Sequence, residues 1–115
     1  MDEPLLYSLR QLDRLRGVEH PRSSQWPAVR RKFMWLNRVC AATGLSDELE
    51  VHHIKPFHLF PHLELELSNL IVLTEHKSFN AHLWIGHAGN WKAYNPNVVE
   101  DAAQMLKRIR ERLVA

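Results

Sequence analysis

In LLYSLRQLDRLR, Leu5, Leu9, Leu12 and Leu15 fall near helical spacing and Gly17 stops the run, which predicts an amphipathic helix over residues 5–16. After the turn EHPRSS, Val29, Phe33 and Leu36 mark one face of a second helix, capped by Ser24 and with Pro27 in its first turn. CAATG, residues 40–44, reads as a tight loop. The period then changes. LEVHHI, starting at Leu49, reads as a strand, and LIVL, residues 70–73, as a second one introduced by Asn69. Between them runs the loop KPFHLFPHLELEL, whose alternation predicts Leu63, Leu65 and Leu67 facing inward and Glu64 and Glu66 facing water. Thr74 is the expected N-cap of a helix reaching about Trp84, ended by Gly86 and Gly89. After NWKAYNP, Asn97 and Glu100 open a last helix with Val98, Ala102, Met105, Ile109 and Leu113 on its apolar face. There is no internal repeat and no low-complexity linker, so the pattern predicts one α+β domain over residues 1–115.

Composition narrows the setting. The chain has 115 residues, 45% hydrophobic and 24% charged, which is ordinary for a globular domain. No apolar run approaches the roughly 20 residues that span a bilayer. The start, MDEPLLYSLRQ, is acidic and lacks the basic region of a secretory signal. Cys40 is the single cysteine, which rules out an intrachain disulfide; it reads as a small buried hydrophobe in a reducing cytoplasm. The net charge of +2 is unevenly spread: basic residues dominate 1–40 and 77–115, and acids dominate 41–76. Basic flanks suit phosphate contacts, and solvated helix faces explain them equally well. Trp26, Trp35, Trp84 and Trp91 are expected in the core, with Trp91 or Tyr94 stacking on a base as the alternative.

Histidine is the outlier. Seven of the eight lie between positions 52 and 87. His52 and His53 are neighbours in a strand, so they point to opposite faces. A strand–strand–helix unit brings the end of its first strand beside its helix, where one of the pair can meet histidines from residues 76–87. Imidazole binds Zn, Ni, Co and Mn. One neighbour can therefore hold an ion while the other, neutral near its ordinary pKa of about 6.5, takes a proton from water. His20, His58 and His62 read as surface or hydrogen-bonded residues.

HHIKP at 52–56, Asn69 opening LIVL, His82 beyond it, and the run GHAGNWKAYNP together resemble the His–Asn–His (HNH) endonucleases of the ββα-metal fold. The resemblance covers residues 40–96. WPAVRRKFMWLNRVCAATG before the motif, and GHAGNWKAYNPNVVEDA from its end onward, look like a phage- and prophage-associated branch. It implies a ββα-metal core with helical flanks at 5–37 and 97–114. It also implies a metal-dependent DNA endonuclease, nicking or cutting both strands and leaving 5′-phosphate and 3′-hydroxyl ends. His52 would be a metal ligand, His53 the general base, Asn69 the residue that pins the long loop, and His82 the ligand from the helix.

Three departures qualify the resemblance. Relatives with two Cys-x-x-Cys pairs hold a structural zinc, but here the matching positions are Cys40, Thr43, Thr74 and Lys77, so no structural zinc is expected and packing of Trp, Phe and Leu replaces it. His82 and His87 are five apart, about 140° around an ideal helix, so His87 joins the site only if the helix ends or bulges at Gly86. His76, six before His82, competes with His87 for that place, and in another register Ser78 takes the first ligand position and His82 the second. The acidic loop is unusual beside a phosphate site. The expected cofactor is one divalent ion, Mg, Mn, Ni, Co or Zn. The expected partner is double-stranded DNA, contacted by Arg30, Arg31, Lys55, Lys77 and Lys92, in a bacterial or phage-infected cytoplasm with phage packaging proteins as further partners. Arg30, Arg31 and Lys32 otherwise read as an exposed helix face. The alternative function is a non-catalytic DNA-binding or assembly module acting with a packaging machine or a partner nuclease.

Overall fold

The computed structural model describes residues 5, 8, 9, 12 and 21–114. Leu5, Ser8, Leu9 and Leu12 are helical; the rest of the helix expected over 5–16, its stop at Gly17, and His20 lie outside the described residues. The fold is a small α+β arrangement built on a two-stranded antiparallel sheet. In chain order the elements are α1 (Trp26–Leu36), β1 (Leu49–His53), β2 (Leu70–Thr74), a π-helical turn (His82–Gly86) and α2 (Val98–Val114), with two 3-10 turns at Pro61–Leu63 and Leu67–Asn69.

β1 and β2 pair with Val51 opposite Val72, His52 opposite Ile71 and His53 opposite Leu70. Every residue of β2 is buried, because both of its faces are covered. On one face Val51, Leu70 and Val72 pack against Trp26, Val29, Phe33 and Met34 of α1. On the other, Ile71 and Leu73 pack against Cys40, Ala42, Ala81, Ile85, Val98 and Ala102. A two-stranded ribbon is marginal by itself, so these two clusters supply its stability.

Several expectations change. Ser24 is not the cap of α1: the cap position is Gln25, whose N–H donates to Ser23 Oγ one step earlier. Leu36, expected on the apolar face, is exposed. Thr74 caps no helix, since its hydroxyl donates to Asp47 O and accepts from the His76 N–H, and residues 75–80 are not helical. Leu113, expected on the apolar face of α2, is exposed too, because the helix runs past the core that buries Val98 and Ala102. The loop after β1 does not alternate. It coils into 3-10 turns, which replace the strand period of two with three, so Glu64 is 4% exposed and Leu67 39%. Trp35, Trp84 and Trp91 are exposed, so aliphatic side chains carry the packing around Cys40. The Cys40 thiol itself is fully buried and accepts from the Ala42 N–H. No helix among the described residues is long and apolar enough to cross a membrane.

Leu73 is fully buried at the centre of the second cluster. Leu73→Ala should cost about 2–5 kcal/mol in urea denaturation; a loss under about 1 kcal/mol would show that the cluster closes around the gap.

Candidate metal centre

β1 divides its two histidines between the faces of the sheet. His53 stacks on Trp26 of α1, ring centroids 4.4 Å apart. His52 lies on the other face, 4% exposed, with ring centroids 5.1 Å from His82 and 4.8 Å from His87. Among the described residues, His52, His82 and His87 form a group whose ligand atoms all lie within 4.8 Å of one another.

The π-turn resolves the five-residue spacing. The His87 N–H donates to His82 O at 3.1 Å, closing an i→i+5 turn that brings both imidazoles to one side. π-bulges recur at functional sites for this reason: they move one side chain without ending the helix. Gly86 allows the third ring in. A Cβ there would lie 3.2 Å from His52 Cε1 and 3.1 Å from Leu73 Cδ1. The segment after the turn holds it closed: Asn95 donates from its backbone to Gly86 O and from its side chain to Ile85 O. Trp91 covers the outer side, with ring centroids 5.1 Å from His82 and 5.0 Å from His87.

The nitrogens are arranged for ligation. His87 Nδ1 donates to Ala93 O at 2.8 Å, since a carbonyl only accepts, and in the neutral ring this tautomer places the lone pair on Nε2. That Nε2 lies 3.2 Å from His82 Nε2. A tetrahedral ion with bonds of about 2.0–2.1 Å holds its ligand nitrogens about 3.3 Å apart. His52 Nε2 and His82 Nδ1 are buried with no hydrogen-bond partner. Glu75 Oε1 stands 3.8 Å from His82 Nδ1, too far for a hydrogen bond. Burial without a partner is costly for a polar atom, and a bound ion would satisfy His52 Nε2. Burial first, then the neighbouring His82, His87 and His53, hold the His52 pKa down at about 3. Burial, then His87, hold His82 at about 4. Both are neutral at neutral pH, the form that ligates.

His53 is fixed separately. Its Nε2 donates to Glu64 O at 2.9 Å, which leaves Nδ1 as the basic atom. Burial lowers its pKa; the bond to the Glu64 carbonyl opposes this and the Arg22 charge adds to it. Asn69 holds the loop that carries this carbonyl: its Oδ1 accepts from the Lys55 N–H and its Nδ2 donates to Lys55 O and Leu63 O. Both sets of histidines open on one cleft of about 320 Å³, lined by Arg22, His52, His53, Phe57, His82 and His87 among others.

The remaining candidates stand elsewhere. His76 Nδ1 and Ser78 Oγ bond each other at 2.7 Å, away from the cluster. Arg30 pairs with Glu50 at 3.0 Å and, with Arg31, lines a different cleft of about 410 Å³ beside Trp35. Lys55 sits over Phe60, and Lys77 and Lys92 are exposed. Sequence reasoning missed Arg22 and Glu64, because residues 19–24 read as a turn and Glu64 as a solvated residue. Searches of protein-family models, curated proteins and solved structures each return no match.

Two outcomes are expected. Below pH 6.5 the unfolded chain takes up protons that buried His52 and His82 refuse until about pH 3 and 4. Protonation therefore favours unfolding, and the metal-free protein should lose up to about 1.4 kcal/mol per pH unit for each of the two as pH falls through that window, with no slope from them above it. Denaturation midpoints in EDTA that stay flat on acidification would mean that both rings take up protons in the folded state. In calorimetric titration with Ni or Zn, His87→Ala should lose more than about 100-fold in affinity, beyond what loss of a supporting partner costs, and Gly86→Ala about tenfold through displacement of His52. Unchanged affinity in both would move the ion elsewhere.

Proposed function

We propose that this protein is a metal-dependent endonuclease that hydrolyses DNA phosphodiester bonds, with a ββα-metal core of the His–Asn–His kind. One observation carries the reading: three imidazoles converge while a fourth, held by a different partner, opens on the same cleft. A purely structural ion has no use for the fourth.

The roles follow from the hydrogen bonds. His53 Nδ1 takes a proton from a water, whose oxygen attacks phosphorus in line with the 3′ oxygen. The P–O3′ bond breaks, the 3′ oxygen takes a proton from solvent water to leave as a hydroxyl, and His53 returns its proton to solvent. His52, His82 and His87 are the residues that would hold the divalent ion; when bound, it supplies polarisation of a phosphoryl oxygen and charge stabilisation at the leaving oxygen. Asn69 is a positioning residue. It ties Lys55 and Leu63 together, and so sets where the Glu64 carbonyl meets His53.

Plasmid cleavage tests this, with EDTA and then with Mg, Mn, Ni, Co or Zn restored. Wild type should nick or linearise DNA only with metal. His53→Ala should lose about 10²–10⁴ in rate with metal affinity unchanged, and Asn69→Ala about 10–100-fold. A His53→Ala protein that cuts normally removes the base assignment. Wild type that binds DNA but never cuts it, under any of the ions, favours the non-catalytic DNA-binding or assembly module.

A further inference from the structure

Glu64 is a buried carboxylate that the chemistry above uses only through its backbone. Its side chain is 5% exposed, and a buried charge must be paired to persist. Oε2 accepts from Arg22 Nε at 2.7 Å and Oε1 from the Ser23 N–H at 3.0 Å. Arg22, by contrast, is 48% exposed and lines the histidine cleft. Its guanidinium lies over Phe57, 4.5 Å from the ring centroid, and 5.4 Å from that of Trp26. Trp26 is the same ring on which His53 stacks. One residue thus holds two neighbours: the Glu64 carbonyl fixes His53 and its carboxylate fixes Arg22.

We propose that Arg22 is the phosphate-binding residue of the histidine cleft and that buried Glu64 is the positioning residue that aims it. The proposal rests on the phosphodiester reading and names how that site recognises its substrate. Glu64 engages the Nε edge of the guanidinium, and the terminal Nη groups make no hydrogen bond among the described residues. Those groups are the planar pair suited to two phosphate oxygens. Stacking on Phe57 and the bond to Glu64 restrict the side chain before substrate arrives, which lowers the entropy lost on binding. A simpler role for Arg22 is to neutralise Glu64 and nothing more. The two roles differ in sign for one variant. If Glu64 only needs a cation, Glu64→Gln removes a negative charge beside the cleft and DNA binding tightens. If Glu64 aims Arg22, the same change weakens it.

The test measures binding of a fluorescein-labelled duplex in EDTA across a salt series, and kcat and KM for its cleavage with metal. Arg22→Gln with Glu64→Gln keeps a neutral hydrogen-bonded pair and leaves no buried charge unpaired. The double variant should raise KM about tenfold with a smaller change in kcat, keep the metal affinity of the three histidines, and flatten the slope of log affinity against log salt by about 0.9, the loss of one phosphate contact. Glu64→Gln alone should weaken DNA binding severalfold. Arg22→Lys, an exposed change that keeps the charge, should preserve the salt slope and still lose severalfold in KM. Wild type that cleaves DNA while the double variant matches it within twofold in KM and salt slope overturns this proposal and leaves the nuclease reading standing. Tighter binding by Glu64→Gln overturns the aiming role. Wild type that neither binds nor cuts the duplex overturns both.

Discussion

Adjacent residues of a strand point to opposite sides of a sheet, and His52 and His53 are adjacent. Pairing with β2 locks that alternation, because a slip of one residue would turn His52 toward α1 and Val51 toward the small-residue cluster. The two imidazoles therefore live in different environments. His52 is buried with no hydrogen-bond partner at Nε2. His53 lies against an aromatic ring with one nitrogen tied to a carbonyl. One strand register sends the two imidazoles to different surroundings, and both still reach the cleft because it opens at the end of β1.

The π-turn completes what the register begins. An α-helical His82–Gly86 segment would turn His87 away from His82, and the Ala93 carbonyl would then have no ring nitrogen to meet. The i→i+5 turn carries its own cost in backbone geometry, which neighbours offset: Asn95 satisfies two carbonyls at its end, and Asp101 at the start of α2 holds the Asn95 amide. α2 is thereby tied to the π-turn by a side-chain hydrogen bond, in addition to sharing a buried cluster with Ile85 through Val98 and Ala102. This is the physical content of GHAGNWKAYNP: Gly86 gives way to His52, His87 adds the third imidazole, and Asn95 closes the turn.

Much of this was legible in the sequence. Both strands follow from β-branched and apolar runs bounded by polar residues, and the order of the elements brings one of the adjacent histidines to those of residues 76–87; the resemblance singles out His52 and His82. The π-turn was not legible, since side-chain periodicity reports an α-helix or a strand and carries no signature for one wider turn; only the misfit of five residues and Gly86 pointed to it. Glu64 misled for a related reason. HLELELSNL alternates in composition, but Pro61 and the side chain of Asn69 hold the segment in 3-10 turns, and the residue read as solvated is the one most deeply buried. The tryptophans misled because a small sheet covered by aliphatic residues leaves little room for large rings, and three of the four lie outside.

The loop between the strands is where fold and chemistry meet. It is long, which costs little in closure entropy, but its backbone must be satisfied where it is buried. Asn69 does this at Lys55 and Leu63, using both ends of one amide, so the loop is tied at its start and near its middle, with Leu59 and Phe60 buried between the ties. The peptide carbonyl of Glu64 follows directly after Leu63 and is thus held to the same knot, and its side chain reaches back to the segment before α1. A displacement of Asn69 therefore moves His53, the Arg22 guanidinium and the loop together. That makes the middle residue of the motif a structural part whose loss is read chemically, and it explains why a side chain that faces neither the cleft nor the imidazole cluster belongs with the histidines that do.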